Sequence, residues 1–151
     1  MTISVLSAAK RIGKKSDWTL SNLELQKIIY ISHMFHMGEN DGAPLVSGQF
    51  EAWDYGPVHP DLYRVAKVFG SDPVQNIFHT LPDVGEGTEQ DMLDKSFAAL
   101  GKAGPGKLVG ATHRKDGAWD RNYLPGIRHC IIPNADILAE YESLKGAHTG
   151  G

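Results

Sequence analysis

Histidines are the residues of this 151-residue chain that first suggest chemistry. His33 and His36 stand three positions apart, a spacing that puts two imidazoles on the same side of a helix. A zinc site needs three or four converging ligands, and no H-E-x-x-H pattern supplies them locally. The remaining candidates are His59, His79, His113 and His129. We expect no bound metal or cofactor, while a histidine-based metal-dependent enzyme stays open as an alternative.

Nucleophilic and phosphate-binding motifs are incomplete. Cys130 follows His129, but neighbouring side chains on an extended strand point to opposite faces and do not pair directly. The serines lack a G-x-S-x-G context, and the glycines from 101 to 106 lack the Lys-Ser/Thr ending of a P-loop. We therefore predict that the protein is not an enzyme. A single cysteine also excludes an intrachain disulfide and favours a reducing cytoplasm.

Charge is unevenly distributed along the chain, whose net charge is −3. Four cations lie between Lys10 and Lys15, and an acidic stretch runs from Asp83 to Asp94. Such runs usually form solvated faces, so we expect no nucleic-acid partner, although a nucleic-acid-binding regulator is a further alternative. No apolar run approaches the roughly 20 residues that cross a bilayer, so we also expect no membrane partner.

Hydrophobic periodicity predicts the helices that would position these residues. Apolar residues recur every third position from Ile3 to Ile12 and predict a first helix, which Gly13 ends or weakens. Ser21 and Glu24 have the spacing of a capping box, so a second helix begins there. This helix is apolar on two faces and should be central, with Gly38 at its C′ position.

The rest of the chain is predicted to be mainly helical as well. Further helices are expected after Pro60, from Thr88, from about Pro105 and from about Asn134, whereas residues 113–125 should be irregular. Aromatic residues in the stretch 49–55 predict a strand that pairs with residues 127–132. We predict a mainly α fold: a single compact helical domain, residues 1–145, with a small two-stranded β element and a frayed tail at residues 146–151.

Three short blocks form the most specific pattern in the chain. The first is Leu25–Tyr30, the second is Phe50–Val58 with Tyr63 downstream, and the third is Thr112-His113 with Trp119 after a charged loop. In this order they resemble the L-x-K-L-L-Y, F-x-A-W-x-Y-G-P-V and histidine–tryptophan elements of the Panacea domain family. The motif residues expected to have structural roles are Leu25, Lys27, Tyr30, Phe50, Trp53, Gly56 and Pro57.

The resemblance implies a function that neither composition nor periodicity indicates. Panacea proteins include SocA-like antitoxins and phage-associated proteins of bacteria, and the antitoxins act by contact with a cognate toxin protein. Some serve as adaptors that present the toxin to an ATP-dependent protease, and the resemblance leaves open whether a protease takes part here. It implies a mainly helical cytoplasmic protein that binds another protein.

Two turns are the predicted partner-binding surface. Exposed tryptophan, tyrosine and arginine side chains often dominate the binding energy of protein interfaces, and both turns are rich in these types. For Trp53 we favour a place in the core, whereas Trp119 lies in a charged loop that we expect to contact the partner. The predicted partner-binding residues are Tyr55, His59, Tyr63, His113, Arg114, Lys115, Trp119 and Arg121.

Overall fold

The computed structural model describes residues 1–149, with side chains up to residue 146, and within that range seven helices and three short strands form. The helices are α1 (Val5–Lys15), α2 (Asn22–Glu39), α3 (Pro60–Ala66), α4 (Thr88–Leu100), α5 (Pro105–Thr112), α6 (Ala118–Asn122) and α7 (Asn134–Thr149). The strands are β1 (Phe50–Trp53), β2 (Gly56–Val58) and β3 (Ile131–Ile132). The mainly α prediction is confirmed. None of the described helices is long and apolar enough to cross a membrane.

Helix α2 is the centre of the molecule, as its two apolar faces predict. It packs against α1, α4, α5 and α7, and eleven of its eighteen residues are buried. The predicted capping box starts it: the Ser21 hydroxyl accepts a hydrogen bond from the Glu24 amide (3.3 Å), and the Glu24 carboxylate accepts one from the Ser21 amide (3.1 Å). These two bonds satisfy amides that the first helical turn leaves unpaired.

Two glycines predicted to end helices lie inside them instead. Gly13 falls within α1, where the ring of Trp18 occupies the space that a Cβ would need. Gly38 falls within α2 and contacts the ring of Tyr141 from α7 in the same way. Neither glycine ends its helix, because each one makes room for a ring that packs against the helix, which the local sequence does not reveal.

The β element has three antiparallel strands in the order β2-β1-β3, one more than predicted. The expected pairing of the first extended segment with the later one is confirmed at β1 and β3. The additional strand arises because Trp53 pairs with Gly56, so that Asp54 and Tyr55 form a two-residue hairpin loop. The chain therefore turns back at Asp54 and Tyr55 and forms β2, whereas the sequence pattern predicted only that the first strand ends at this point.

The last third of the chain contains a second departure from prediction. Residues 118–122, expected to be irregular, form the short helix α6, whose Ala118 amide donates to the Glu140 carboxylate of α7 (2.9 Å). Because that acceptor comes from 22 residues further along the chain, no local signal announces the helix. Helix α7 continues to Thr149, into the segment predicted as a tail, and residues 150 and 151 lie outside the described residues.

The two charge runs of the sequence pair with each other. Lys10 and Lys14 of α1 contact Asp83 at 2.9 and 3.4 Å. Arg11 contacts Asp94 of α4 at 2.8 Å, a hydrogen-bonded pair that lowers the pKa of this carboxyl, and Lys15 reaches it at 3.6 Å. The basic N-terminal run is therefore opposed by carboxylates rather than presented as a free cationic stripe.

The capping box generates a stability prediction. Ser21→Ala removes the side-chain acceptor of the α2 N-terminus and should lower the free energy of unfolding by about 1 kcal/mol. Ser143→Ala, at an exposed position inside α7, is the control and should leave stability unchanged or slightly raised, because alanine is the better helix former. Urea unfolding measures both, and equal stabilities for the two variants would contradict the role given to the cap.

Candidate protein-binding site

A pocket of about 430 Å³ opens between the first turn of α2, the β1–β2 hairpin and the loop before β3. Its lining residues include Gln26 and Lys27 from α2, Trp53 and Tyr55 from the hairpin, Tyr63 from α3, and Arg128 from the loop. Five of these six residues, all except Arg128, belong to the first two motif blocks of the sequence. The blocks are distant in the chain but meet at one site.

Lys27 lies at the floor of this pocket with 1% of its surface exposed. Its Nζ donates a hydrogen bond to the Pro57 carbonyl (3.0 Å). A Cβ at Gly56 would lie 2.7 Å from the Lys27 Cε and 3.0 Å from the Thr112 hydroxyl, so only glycine leaves room for the buried lysine. Gly56 also has a φ of +117°, which glycine tolerates best. Burial lowers the pKa of Lys27 to about 7.

Gln26 and His59 complete the attachment of the hairpin to α2. The Gln26 side chain accepts a hydrogen bond from the His59 amide (2.8 Å) and donates one to the His59 carbonyl (3.3 Å). It therefore pairs with both backbone groups of buried His59. The His59 ring caps α3 by accepting from the Asp61 amide (3.3 Å), and its other nitrogen bonds the Ser47 carbonyl (2.8 Å). Burial lowers the pKa of His59. His59 was predicted to contact a partner, yet its side chain is inside the fold.

An aromatic cluster supports the hairpin from below. The ring of Phe50 lies 5.2 Å from that of Tyr30, 5.3 Å from that of His33 and 5.2 Å from that of His59. Phe50 and Tyr30 are fully buried, as are the motif residues Leu25, Gly56 and Pro57, whereas Trp53 is half-buried at the pocket wall. Burial raises the pKa of the Tyr30 hydroxyl. The motif residues thus build a rigid floor beneath the Tyr55 turn.

Trp119 has a structural role, contrary to its expected exposure. It is 8% exposed, and its ring stacks between those of His113 (3.8 Å) and Tyr123 (4.5 Å). Its indole N–H donates to the Trp53 carbonyl (2.7 Å), which joins α6 to the hairpin. Its charged neighbours Asp120 and Arg121 are exposed on α6, whereas Ala118 and Trp119 on the same helix are buried. Trp119 therefore supports the surface without being available to contact a partner.

The rest of the predicted set divides between two places. Tyr55, at 70% exposed, and the half-buried Tyr63 line the pocket described above. Arg114, Lys115 and Arg121 are exposed but border a separate cavity of about 200 Å³ against α7. The structure therefore does not bring the charged residues of the second turn to the Tyr55 turn.

His113 is half-buried beneath the hairpin. Its Nε2 would lie 3.3 Å from a Cβ at Gly56 and is buried without a hydrogen-bond partner among the described residues. Burial lowers the pKa of His113, and an interaction with the Tyr55 backbone opposes part of that effect. We therefore regard the ring as neutral near pH 7, stacked on Trp119 and supporting the Tyr55 turn from inside.

The pocket rim includes residues that the sequence did not identify. Leu124 and Ile127 are 57% and 50% exposed, and the Arg128 guanidinium lies 4.5 Å from the centre of the Trp53 ring. The loop that carries them is tied to the hairpin, because the Tyr123 hydroxyl donates to Asp54 (2.6 Å). The sequence predicts a strand over residues 127–132, whereas the structure forms a strand only at Ile131–Ile132 and leaves Ile127 exposed in the loop. Tyr55 and Arg128 line the pocket, and we call these two residues, together with the exposed Leu124 and Ile127 of the Arg128 loop, the pocket rim.

The histidines that suggested metal binding have other partners. His33 accepts from the Val46 amide (3.3 Å) and bonds the Asn134 side chain (3.0 Å), and burial lowers its pKa to about 4. His36 bonds the Ala43 carbonyl (2.7 Å) and the Thr88 hydroxyl (2.8 Å). Within the described residues, no three histidine, cysteine or acidic side chains converge on a possible metal position.

The family assignment rests on a match over the part of the chain that builds this site. Residues 25–120 match the family model described as Antitoxin SocA-like, Panacea domain. The chain belongs to the SocA-like Panacea family. The matched residues run from the first turn of α2 through the hairpin to Trp119 and Asp120 in α6, so the Panacea match contains the floor and most of the walls of the pocket.

A curated relative supports the same assignment. The chain is 34% identical over 119 residues to Antitoxin SocA of Caulobacter vibrioides (strain NA1000 / CB15N), an alignment that covers 69% of this chain and 60% of the relative. The chain thus spans less than two thirds of that Panacea protein. No solved structure matches the chain.

The burial of Trp119 predicts a large effect on stability. Trp119→Ala should lower the free energy of unfolding by about 3 kcal/mol or more, since it removes a buried ring and the bond to the Trp53 carbonyl. Trp119→Phe should cost less because it keeps part of the stacking. Thermal or urea unfolding of both variants measures this. A stability within error of the wild type for Trp119→Ala would place the ring on the surface.

Lys27 predicts a pH dependence of stability. Its pKa of about 7 in the folded state lies below the ordinary value of 10.5, so the unfolded chain binds this proton more strongly. Between these two values unfolding takes up a proton, and stability relative to Lys27→Met should rise with pH by up to about 1.4 kcal/mol per unit. Below about pH 7 the difference between the two proteins should stop changing with pH. Urea unfolding across this range tests the claim, which parallel pH profiles for the two proteins would contradict.

Proposed function

We propose that this protein is an antitoxin that neutralises a cognate toxin by direct contact, with the pocket rim at the centre of the interface. The observation that carries the proposal is the Panacea match, whose motif residues meet beneath one exposed aromatic turn. The relative called Antitoxin SocA supports the same role. In this account the motif serves to hold a surface in shape and performs no bond chemistry.

The composition of the pocket rim supports protein binding. Tyr55 and Arg128 are of the types that most often carry interface binding energy, and Leu124 and Ile127 add exposed apolar area in the loop that carries Arg128. The backbone beneath is fixed by buried hydrogen bonds to Gln26 and Lys27. Little ordering is therefore required on binding, which favours affinity.

The predicted partner set is revised within this proposal. Tyr55 and Tyr63 remain contact residues, whereas His59, His113 and Trp119 act by holding the hairpin in place. Arg114, Lys115 and Arg121 border a different cavity and would be reached only by a partner that extends past the rim.

The proposal also includes action in the bacterial cytoplasm and delivery of the bound toxin to an ATP-dependent protease. Toxin lifetime in cells with and without the antitoxin tests the delivery step.

The two alternative functions have less support. Hydrogen bonds occupy both ring nitrogens of His33 and His36, the pair that motivated a metal-dependent enzyme. Carboxylates oppose the basic run of α1, which motivated nucleic-acid binding. Metal analysis of untagged protein and DNA binding at low salt test these alternatives directly.

The proposal predicts that the Tyr55 side chain contributes to toxin binding. Coexpression should identify a toxic neighbouring gene whose product binds this chain, and Tyr55→Ala should then weaken binding about tenfold or more. Its stability should stay within about 0.5 kcal/mol of the wild type, since the ring is 70% exposed. Calorimetry measures the affinity, and growth rescue measures neutralisation.

Val68→Ala is the matched control for this experiment. Val68 is 78% exposed and does not line the pocket, so its truncation should leave toxin affinity unchanged. If no neighbouring product is toxic, or if none binds the wild-type chain, the antitoxin proposal fails. If the toxin binds Tyr55→Ala as tightly as wild type, the interface lies elsewhere on the molecule.

A further inference from the structure

Two cations line the pocket without a carboxylate partner. Within the part of the chain whose side chains are described, no carboxylate oxygen lies within 4.0 Å of Lys27 or Arg128. The α1 cations behave differently, because each of them reaches Asp83 or Asp94. Two basic side chains therefore line a pocket whose lining includes one carboxylate, Asp54, and neither of them forms an ion pair with it.

Lys27 has hydrogen-bonding capacity that the fold does not use. An ammonium group has three N–H donors, and the Pro57 carbonyl takes one of the three in this structure. Desolvation is the cause of its lowered pKa, with no neighbouring charge in opposition. The remaining donors are available to an anionic ligand, and a carboxylate beside them would favour the charged form of Lys27.

Arg128 is arranged to reach the same ligand from the rim. Its guanidinium lies 4.5 Å from the centre of the Trp53 ring and 5.9 Å from that of Tyr63, so aromatic faces hold the planar group. Stacking of this kind leaves the N–H fork at the edge of the group free to bind a carboxylate through two bonds. Arg128 is exposed and is therefore accessible to a partner.

The remaining lining explains why the ligand would be small and part of a protein. The walls are largely apolar, and their single carboxylate, Asp54, accepts the Tyr123 hydroxyl. An aliphatic stem fits such walls while its charged end reaches the cations. Tyr55 lines the pocket and is exposed, and Leu124 and Ile127 are exposed in the loop that carries Arg128, so the ligand would be presented by a protein surface that covers these apolar groups, which a free chain end would not do.

We propose that the pocket binds the side-chain carboxylate of a glutamate or aspartate on the protein partner, held between Lys27 and Arg128. This inference rests on the proposed function, because it specifies the contact that the toxin would make. Arg128 is not among the partner-binding residues predicted from the sequence, and it lies outside the residues 25–120 that match the family model.

A pair of small probes tests the pocket without the toxin. Benzoate and benzamide have the same ring and differ in charge, and NMR titration of the full chain measures the affinity of each. Benzoate should shift pocket amides and bind at least tenfold more tightly than benzamide, and Arg128→Ala should remove most of that preference. Equal affinities, or no benzoate-dependent shifts in the pocket, would overturn the proposal.

Arg64→Ala is the matched control, since Arg64 is exposed, pairs with Asp61 and does not line the pocket. It should leave benzoate binding unchanged. Arg128→Lys should recover part of the affinity, because it restores the charge but not the fork. A loss of benzoate binding in Arg64→Ala equal to that in Arg128→Ala would show a general charge effect and would also overturn the proposal.

The toxin supplies the second arm of the test. Arg128→Glu should weaken toxin binding by more than tenfold, and replacing one toxin glutamate or aspartate by lysine should restore much of it. Unchanged binding to Arg128→Glu would reject the anchor while leaving the antitoxin proposal standing. Dependence on the toxin's terminal carboxylate alone would reject the side-chain assignment. A toxin that does not bind the wild type rejects the proposed function, and the benzoate result still decides the pocket.

Discussion

Buried hydrogen bonds between α2 and the β1–β2 hairpin are the constraint on which this structure depends. Gln26 and Lys27 are adjacent on a helix and both are 1% exposed, so their polar ends must find partners inside the fold. They find them in the backbone at Pro57 and His59. Three bonds from one turn of helix thereby determine where the hairpin lies, and a glycine at position 56 makes the close approach possible.

The other aromatic contacts extend that constraint to the surface. The Trp53 carbonyl accepts from the Trp119 indole, and Trp119 stacks on Tyr123, which donates to Asp54 beside Trp53. The hairpin, α6 and the loop before β3 are therefore each in contact with the other two. Tyr55 stands exposed at the tip of the hairpin. These contacts fix the backbone that carries the exposed aromatic and apolar side chains before a partner binds. Less conformational entropy is then lost on binding, which favours recognition of a folded partner.

The features that the sequence predicted correctly are those that short-range interactions determine. The capping box at Ser21, the two apolar faces of α2 and the extended conformation of β1 and β3 depend on neighbouring residues or on simple periodicity, and all are present. The roles of Gly13 and Gly38 depend on rings from elsewhere in the chain, and α6 depends on a carboxylate of α7. The same limit applies to the site: the blocks identified Tyr55 and Lys27, but exposure of Tyr55, burial of Trp119 and the arrival of Arg128 follow from tertiary packing alone.

The central claim is that the pocket rim is the surface that meets the toxin. Hydrogen exchange of the backbone amides, measured with and without bound toxin, tests it across the whole chain at once. We expect added protection concentrated at residues 53–56 and 123–128, with little change in α1 and α4, whose facing sides are already paired. Protection confined to α1, α4 or α7, with the hairpin and the loop before β3 unchanged, would contradict it.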